Sequence, residues 1–325
     1  MLGAVSLSNG LFRISCFVLR VSAVGMGEPK RHAFLGWHGW GFEHPRTWEL
    51  NRVRGSRAAG YLALDDGEGI RLEVNWKPIR RKVELEWIAD RQAKMLESTA
   101  RRRKLDIELK RRRRLGRVKG FEYEAFTWKA DVSACELVAR CKDCGRVILI
   151  RVIGRPGKPP TDEARHVFSS LECYSGKDSE RWGTFGLDVK VPVRFDLEQS
   201  SLKAGLCELV FSDRRIELHI SRAGLGRVIL EKEKMVAWYE KTAGKRLKPF
   251  DVDWTREDFR GHIGYAGTGE LRSNKRLLRF FRSKRRFFVH CFYCEPSDKI
   301  FVVSADGTGE VREAVETVRE GLTCH

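Results

Sequence analysis

Side-chain amides are almost missing from this sequence: Asn occurs only at positions 9, 51, 75 and 274, and Gln only at 92 and 199. That depletion is expected of a protein from a hot environment, and GC-biased codon use would give the same skew. Also missing is any apolar run near the ~20 residues that a membrane-crossing helix needs. There is no Walker A phosphate loop, no dinucleotide fingerprint after a parallel strand, and no Gly-x-Ser-x-Gly elbow, which removes the commonest nucleotide-binding and hydrolase templates. Gly264 to Gly269 is Gly-rich but has the wrong pattern, and reads as a hairpin loop. His32, His38 and His44 recur every six residues, a spacing that suits no standard ligand set. No catalytic residues are expected, and the protein is expected not to be an enzyme.

What is present is charge. The 325 residues carry 62 Lys plus Arg against 44 Asp plus Glu, a formal net charge of +18. A field of that size attracts polyanions at long range without saying anything about the fold. A hydrophobic fraction of 42% beside 33% charged residues describes a globular chain with an ionised surface. The length exceeds what one core usually serves, so two domains are expected. Nine cysteines in so long a chain do not form the framework of a small secreted scaffold, and a cytoplasmic location is expected. Residues 1–25 lack the charged start and unbroken apolar block of a secretory signal. Residues 1–30 are expected to be a disordered or mis-annotated extension, with Met26 as the expected true start.

The two halves resemble each other. Pro45-Arg46-Thr47-Trp48-Glu49-Leu50 matches Pro192-Val193-Arg194-Phe195-Asp196-Leu197. Gly60 to Asp66 faces Gly205 to Asp213, each a Gly, an apolar strand and an acidic turn, and Ile70 to Trp76 and Arg215 to Ser221 both alternate apolar and polar positions. A helix is expected from about Val83 in the first half and Ile229 in the second. Each half then runs through a Gly (Gly120, Gly261), an antiparallel meander, a Cys-x-x-Cys hairpin, an apolar strand and a closing helix, near 161–172 and 309–322. Ordered self-similarity over several segments is the mark of tandem duplication. The expected architecture is α+β: two repeats, 31–176 and 177–325, each an antiparallel sheet flanked by helices in an α/β/α sandwich-like arrangement.

This order of elements resembles the PsbP-like fold, through Gly41-Phe42 with Pro45 and Trp48, then Gly120, then Ser169-Ser170-Leu171. The resemblance implies an antiparallel sheet between helices and a family used mainly for binding, and it carries over no catalytic residue. The Arg-rich extension and both Cys-x-x-Cys pairs depart from the family pattern.

Two basic segments are the candidate nucleic-acid contacts. The first is Arg101, Arg102, Arg103 and Lys104 followed by Lys110, Arg111, Arg112, Arg113, Arg114, Arg117 and Lys119, read as a helix continuing from Val83 that presents cations around its circumference. The second includes Arg279, Arg282, Arg285 and Arg286, interleaved with Phe281, Phe287 and Phe288, which read as core residues of a strand pair. Arg suits phosphate because its planar fork makes bidentate contacts. RNA or a ribonucleoprotein is the expected partner, with an acidic protein docking on the basic helix as the alternative.

Cys141-Lys142-Asp143-Cys144-Gly145 has the form of a zinc knuckle. Cys291-Phe292-Tyr293-Cys294 lacks the Gly. A zinc site built from Cys141, Cys144, Cys291 and Cys294 needs the two turns to meet. Alternatively each half closes locally on Cys173 or on Cys324 with His325 beside it, as a thiol set, a disulfide or inert core thiols.

Overall fold

The structure is a computed structural model describing residues 31–79, 84–156, 158–203, 205–272 and 285–325. Strands β1 (His32–Trp37) and β2 (Trp40–Pro45) pair through Trp37 and Trp40, leaving His38-Gly39 as a two-residue loop. Both loop residues have positive φ, 48° and 84°. That is the requirement of a type I′ turn, whose twist matches that of the strands it joins. Next come β3 (Glu49–Gly55), β4 (Gly60–Asp65) and β5 (Ile70–Pro78). In β5, Leu72, Val74 and Trp76 are buried in alternation with Glu73 and Asn75, as in a strand with one face on a core. Helix α1 (Leu85–Arg102) lays Leu85 and Ile88 on Val138 and Val147, on the opposite face of the same sheet. Strands β6 (Glu108–Lys110), β7 (Phe121–Lys129), β8 (Ser133–Cys141) and β9 (Arg146–Ile153) complete an antiparallel sheet ordered β3-β4-β5-β9-β8-β7-β6. Helix α2 (Thr161–Ser169) buries Ala164, Val167 and Phe168, spaced three and four apart on one face, and β10 (Glu172–Cys173) pairs with β2.

The second half repeats this order. Strands β11 (Ser179–Thr184) and β12 (Leu187–Pro192) turn through Phe185-Gly186, again at positive φ, 47° and 72°. Strands β13 (Asp196–Leu202), β14 (Leu206–Ser212) and β15 (Ile216–Gly224) lead into α3 (Gly226–Lys232) and α4 (Met235–Leu247). The single helix expected from Ile229 is therefore two, separated by an extended Glu233 and Lys234. Then follow β16 (Phe250–Arg256), β17 (Gly264–Leu271), β18 (Arg286–Cys294) and β19 (Lys299–Gly307). The sheet order is β13-β14-β15-β19-β18-β17-β16, position for position that of the first half. Helix α5 (Val311–Glu320) buries Val311, Ala314, Val315 and Val318, a stripe at helical spacing.

The halves are not separate domains. Strand β1 pairs with β11, so the two hairpins fuse into a five-stranded sheet ordered β10-β2-β1-β11-β12. At the junction Gly36 faces Gly183, and a Cβ on Gly36 would stand 2.2 Å from the carbonyl oxygen of Arg181. One apolar cluster holds Trp40, Phe42 and Trp76 from the first half with Trp182, Phe211 and Val315 from the second. Fully burying one large apolar side chain contributes about 1.5–3 kcal/mol, so neither half could lose its partner cheaply. The architecture as a whole is mostly antiparallel, three sheets with five helices among the described residues. None of those helices is long and apolar enough to cross a membrane.

The expected helix through residue 119 is also corrected. Helix α1 ends at Arg102 because the chain folds back on it: the N–H of Lys104 donates to Arg101 and that of Leu105 to Ala100, with Lys104 at φ 56°. This is the Schellman motif, in which a Gly normally occupies the left-handed Lys104 position. Residues 108–110 then add an edge strand to β7 instead of extending a helix. The first 30 residues, Arg279, Arg282 and Phe281 lie outside the described residues.

Candidate functional site

Ending the helix early divides the first basic segment into groups with different fates. Arg101 and Arg102 sit in the last turn of α1, where the carbonyl end of the helix dipole favours cations, with Arg103 and Lys104 just beyond. Lys110 pairs with Glu108 at 2.8 Å. Arg111 is hydrogen-bonded to Asp90, and Arg112, at φ 50°, to Glu86, so both reach back to α1 and are occupied by its carboxylates. Leu115 and Val118 plug into the shared core, which leaves Arg113, Arg114, Arg117 and Lys119 pointing outward. Among the described residues no carboxylate lies within ion-pair distance of those four, nor of Arg101 to Lys104. In the second basic segment Arg285 bonds the buried Asp306 at 2.7 Å and Arg286 is exposed at the start of β18. Phe287 and Phe288 are fully buried, as expected of core residues.

The cysteines gather at two places related by the fold. In the first half Cys141, Cys144 and Cys173 come together, with Cys144 and Cys173 sulfurs 3.7 Å apart. Burial opposes ionisation of Cys144, but the backbone N–H of Arg146 and the neighbouring thiols outweigh it and hold that thiol below its usual range. Burial pushes Cys173 up to about 12. In the second half Cys294 and Cys324 meet His262 and His325. The sulfur of Cys294 lies 3.3 Å from Nδ1 of His325, and that of Cys324 lies 3.2 Å from the same atom and 3.4 Å from Nε2 of His262. Burial, with Cys294 alongside, pushes Cys324 up to about 11, while burial and His325 lower His262.

Cys141, Cys144, Cys291 and Cys294 therefore do not form one group. Cys291 is buried in a separate cluster with Phe287 and Val289, its thiol directed at the Tyr265 carbonyl 3.6 Å away. Two residues three apart on a strand face opposite sides, so Cys291 and Cys294 cannot share a ligand. The sheet register also changes the matching of the halves. Cys141 pairs with Phe121 on β7, and continuing the β17–β18 register from Gly264 opposite Phe292 brings His262 opposite Cys294. Cys141 thus corresponds to Cys294, not Cys291. Cys173 and Cys324 correspond as well. Continuing the β10–β2 register sets Leu171 opposite Phe42, just as Leu322 stands opposite Val189, the counterpart of Phe42 in β12.

No protein-family model matches the chain, and no curated protein matches its sequence. Its resemblance to PsbP is a weak one. The solution structure of cyanobacterial PsbP (CyanoP) from Synechocystis sp. PCC 6803 is similar at 11% identity and a TM-score of 0.32, over 47% of this chain and 98% of that one. The immunity protein TplEi of T6SS from Pseudomonas aeruginosa, complexed with “L” peptide, is similar at 9% identity and a TM-score of 0.38, over 91% of this chain and 99% of that one.

Sequence reasoning passes over His262. The signal available is its place beside Gly261, the counterpart of Gly120, which sets it opposite the last Cys of the next strand. The two turns His38-Gly39 and Phe185-Gly186 are equally readable as hairpins from their Gly alone.

Proposed function

We propose that this protein is a non-enzymatic binder of RNA or a ribonucleoprotein, contacting phosphates through Arg113, Arg114, Arg117 and Lys119 with Arg101 to Lys104 as a second contact. One observation carries the reading: these side chains are exposed and lack carboxylate partners among the described residues, while Arg111 and Arg112 beside them are occupied. Unpaired cations are free to neutralise phosphates, and each phosphate neutralised releases counter-ions condensed on the nucleic acid. We further infer that the halves descend from one duplicated unit, on the strength of their common strand order and matching turns.

Salt-dependent binding to single- and double-stranded RNA tests the proposal. Replacing Arg113, Arg114 and Arg117 by Ala should weaken binding to all sequences and lower the log–log salt slope by about 2–3, at roughly 0.7–0.9 per phosphate no longer neutralised. Replacing Arg111 and Arg112 should change the slope little. Equal effects from both sets, or binding seen only at very low salt, would sink the proposal. Partner capture that survives nuclease treatment would instead favour the acidic-protein alternative.

A further inference from the structure

We propose that His262, Cys294, Cys324 and His325 form a structural zinc site that fastens the segment after α5 to the end of the second sheet. The four donor atoms all lie within 4.8 Å of one another. A tetrahedral Zn²⁺ with bonds of about 2.3 Å to sulfur and about 2.0–2.1 Å to nitrogen has S···N edges near 3.5 Å and S···S edges near 3.8 Å. The observed S···N separations of 3.2, 3.3 and 3.4 Å fit that cage with small adjustments. Two thiolates, formed by release of two protons, neutralise the dication, and two neutral imidazoles complete four protein ligands with no open position. A closed set of that kind is structural, and mixed nitrogen and sulfur donors at tetrahedral spacing select zinc over the hard cations.

The protein builds this arrangement from several directions. Cys294 is fully buried at the end of β18, and His262 is stacked on Phe292 with ring planes 17° apart. The turn bearing His262 is closed by reciprocal backbone bonds between Phe259 and His262, each 2.9 Å. Arg260, in the same turn, donates to the carbonyls of Leu322 at 3.1 Å and Glu320 at 2.7 Å. The Thr323 N–H donates to Asp188 of β12 at 2.8 Å. Arg260 and Asp188 together hold Cys324 over His262, and are positioning residues for the site.

The experiment uses the full chain, stripped with a chelator without denaturation and titrated separately with Zn²⁺ and Co²⁺. A thiolate-to-cobalt charge-transfer band, with zinc displacing cobalt, is the expected result. Cys324→Ser and His325→Ala lie outside every helix and strand, so folding, checked by far-UV circular dichroism, should be retained while zinc affinity falls by more than about 100-fold. Cys144→Ser should leave affinity unchanged. The proposal is overturned if the chain takes up no metal, if uptake survives both substitutions in folded protein, or if Cys144→Ser abolishes it. A Cys294–Cys324 disulfide found by non-reducing mass spectrometry would overturn it too.

Discussion

The two halves place a cysteine pair at corresponding points of the same fold, Cys141 with Cys173 and Cys294 with Cys324, yet surround the pairs differently. The first half has Phe121 where the second has His262, and Tyr174 where the second has His325, so its third donor is Cys144 from the hairpin turn. Each set has one exposed member, Cys144 in the first and His325 in the second, so the difference lies in the donors: three thiols in the first, two thiols and two imidazoles in the second. A second contrast lies in the hairpins of the central sheet. His38 and His44 of the first correspond by register to Phe185 and Val191 of the second. The same backbone positions thus carry titratable groups in one half and apolar ones in the other.

The largest effect is expected where the halves join. Gly36→Val would drive side-chain atoms into the Arg181 carbonyl at the β1–β11 junction. It should cost more than about 3 kcal/mol. In urea the single transition should split in two, and an unchanged single transition would show that the junction does not couple the halves.

Acidification should separate the halves next. Burial lowers His38 and His44 to about 4 each, below the value near 6.5 of the unfolded chain. A base whose folded value is depressed binds more protons when unfolded, so the stability it contributes is complete above pH ~6.5 and is lost as pH falls toward 4. The urea midpoint should therefore drop over that window. His44→Val, which copies the second half, should flatten the drop, and an unchanged pH profile for this variant would remove His44 from the account.

A smaller and more specific change would test the cysteine comparison. Tyr174→His places an imidazole at the position corresponding to His325, beside Cys141, Cys144 and Cys173. Cobalt titration should then reveal an additional bound equivalent. A stoichiometry identical to that of the unaltered chain would show that the correspondence of sheet positions does not extend to side-chain placement.

The smallest expected effect is at the end of α1. Lys104 occupies a left-handed conformation at φ 56°, which costs a side-chain-bearing residue roughly 1 kcal/mol more than Gly. Lys104→Gly should raise stability by up to about 1 kcal/mol in urea titration, and destabilisation would contradict the cap geometry.

Much of the architecture is legible in the sequence. Leu72, Val74 and Trp76 announce a one-sided strand by alternation, and the stripes of α2 and α5 appear within three residues of the expected ranges. The basic helix is misread because charge density carries no period: Leu115 and Val118 are core anchors spaced three apart, and a short apolar pair inside an Arg run looks like noise. The cysteines are misjoined because matching by residue type aligns Cys141 with Cys291, three positions away from the register that the sheet imposes.

By itself the sequence determined the charge, the order of most strands and the two closing helices, and which face of those strands is apolar, because these follow from side-chain chemistry and from periods of 2 and 3.6 residues. Only the tertiary structure decided that the hairpins fuse into one sheet, that Arg111 and Arg112 are spent on α1, and that His262 meets Cys324 across 62 residues of chain. Those outcomes depend on strand register and on close approach of distant segments. No local pattern encodes either, since a shift of one residue in register reverses the face of every side chain on the strand.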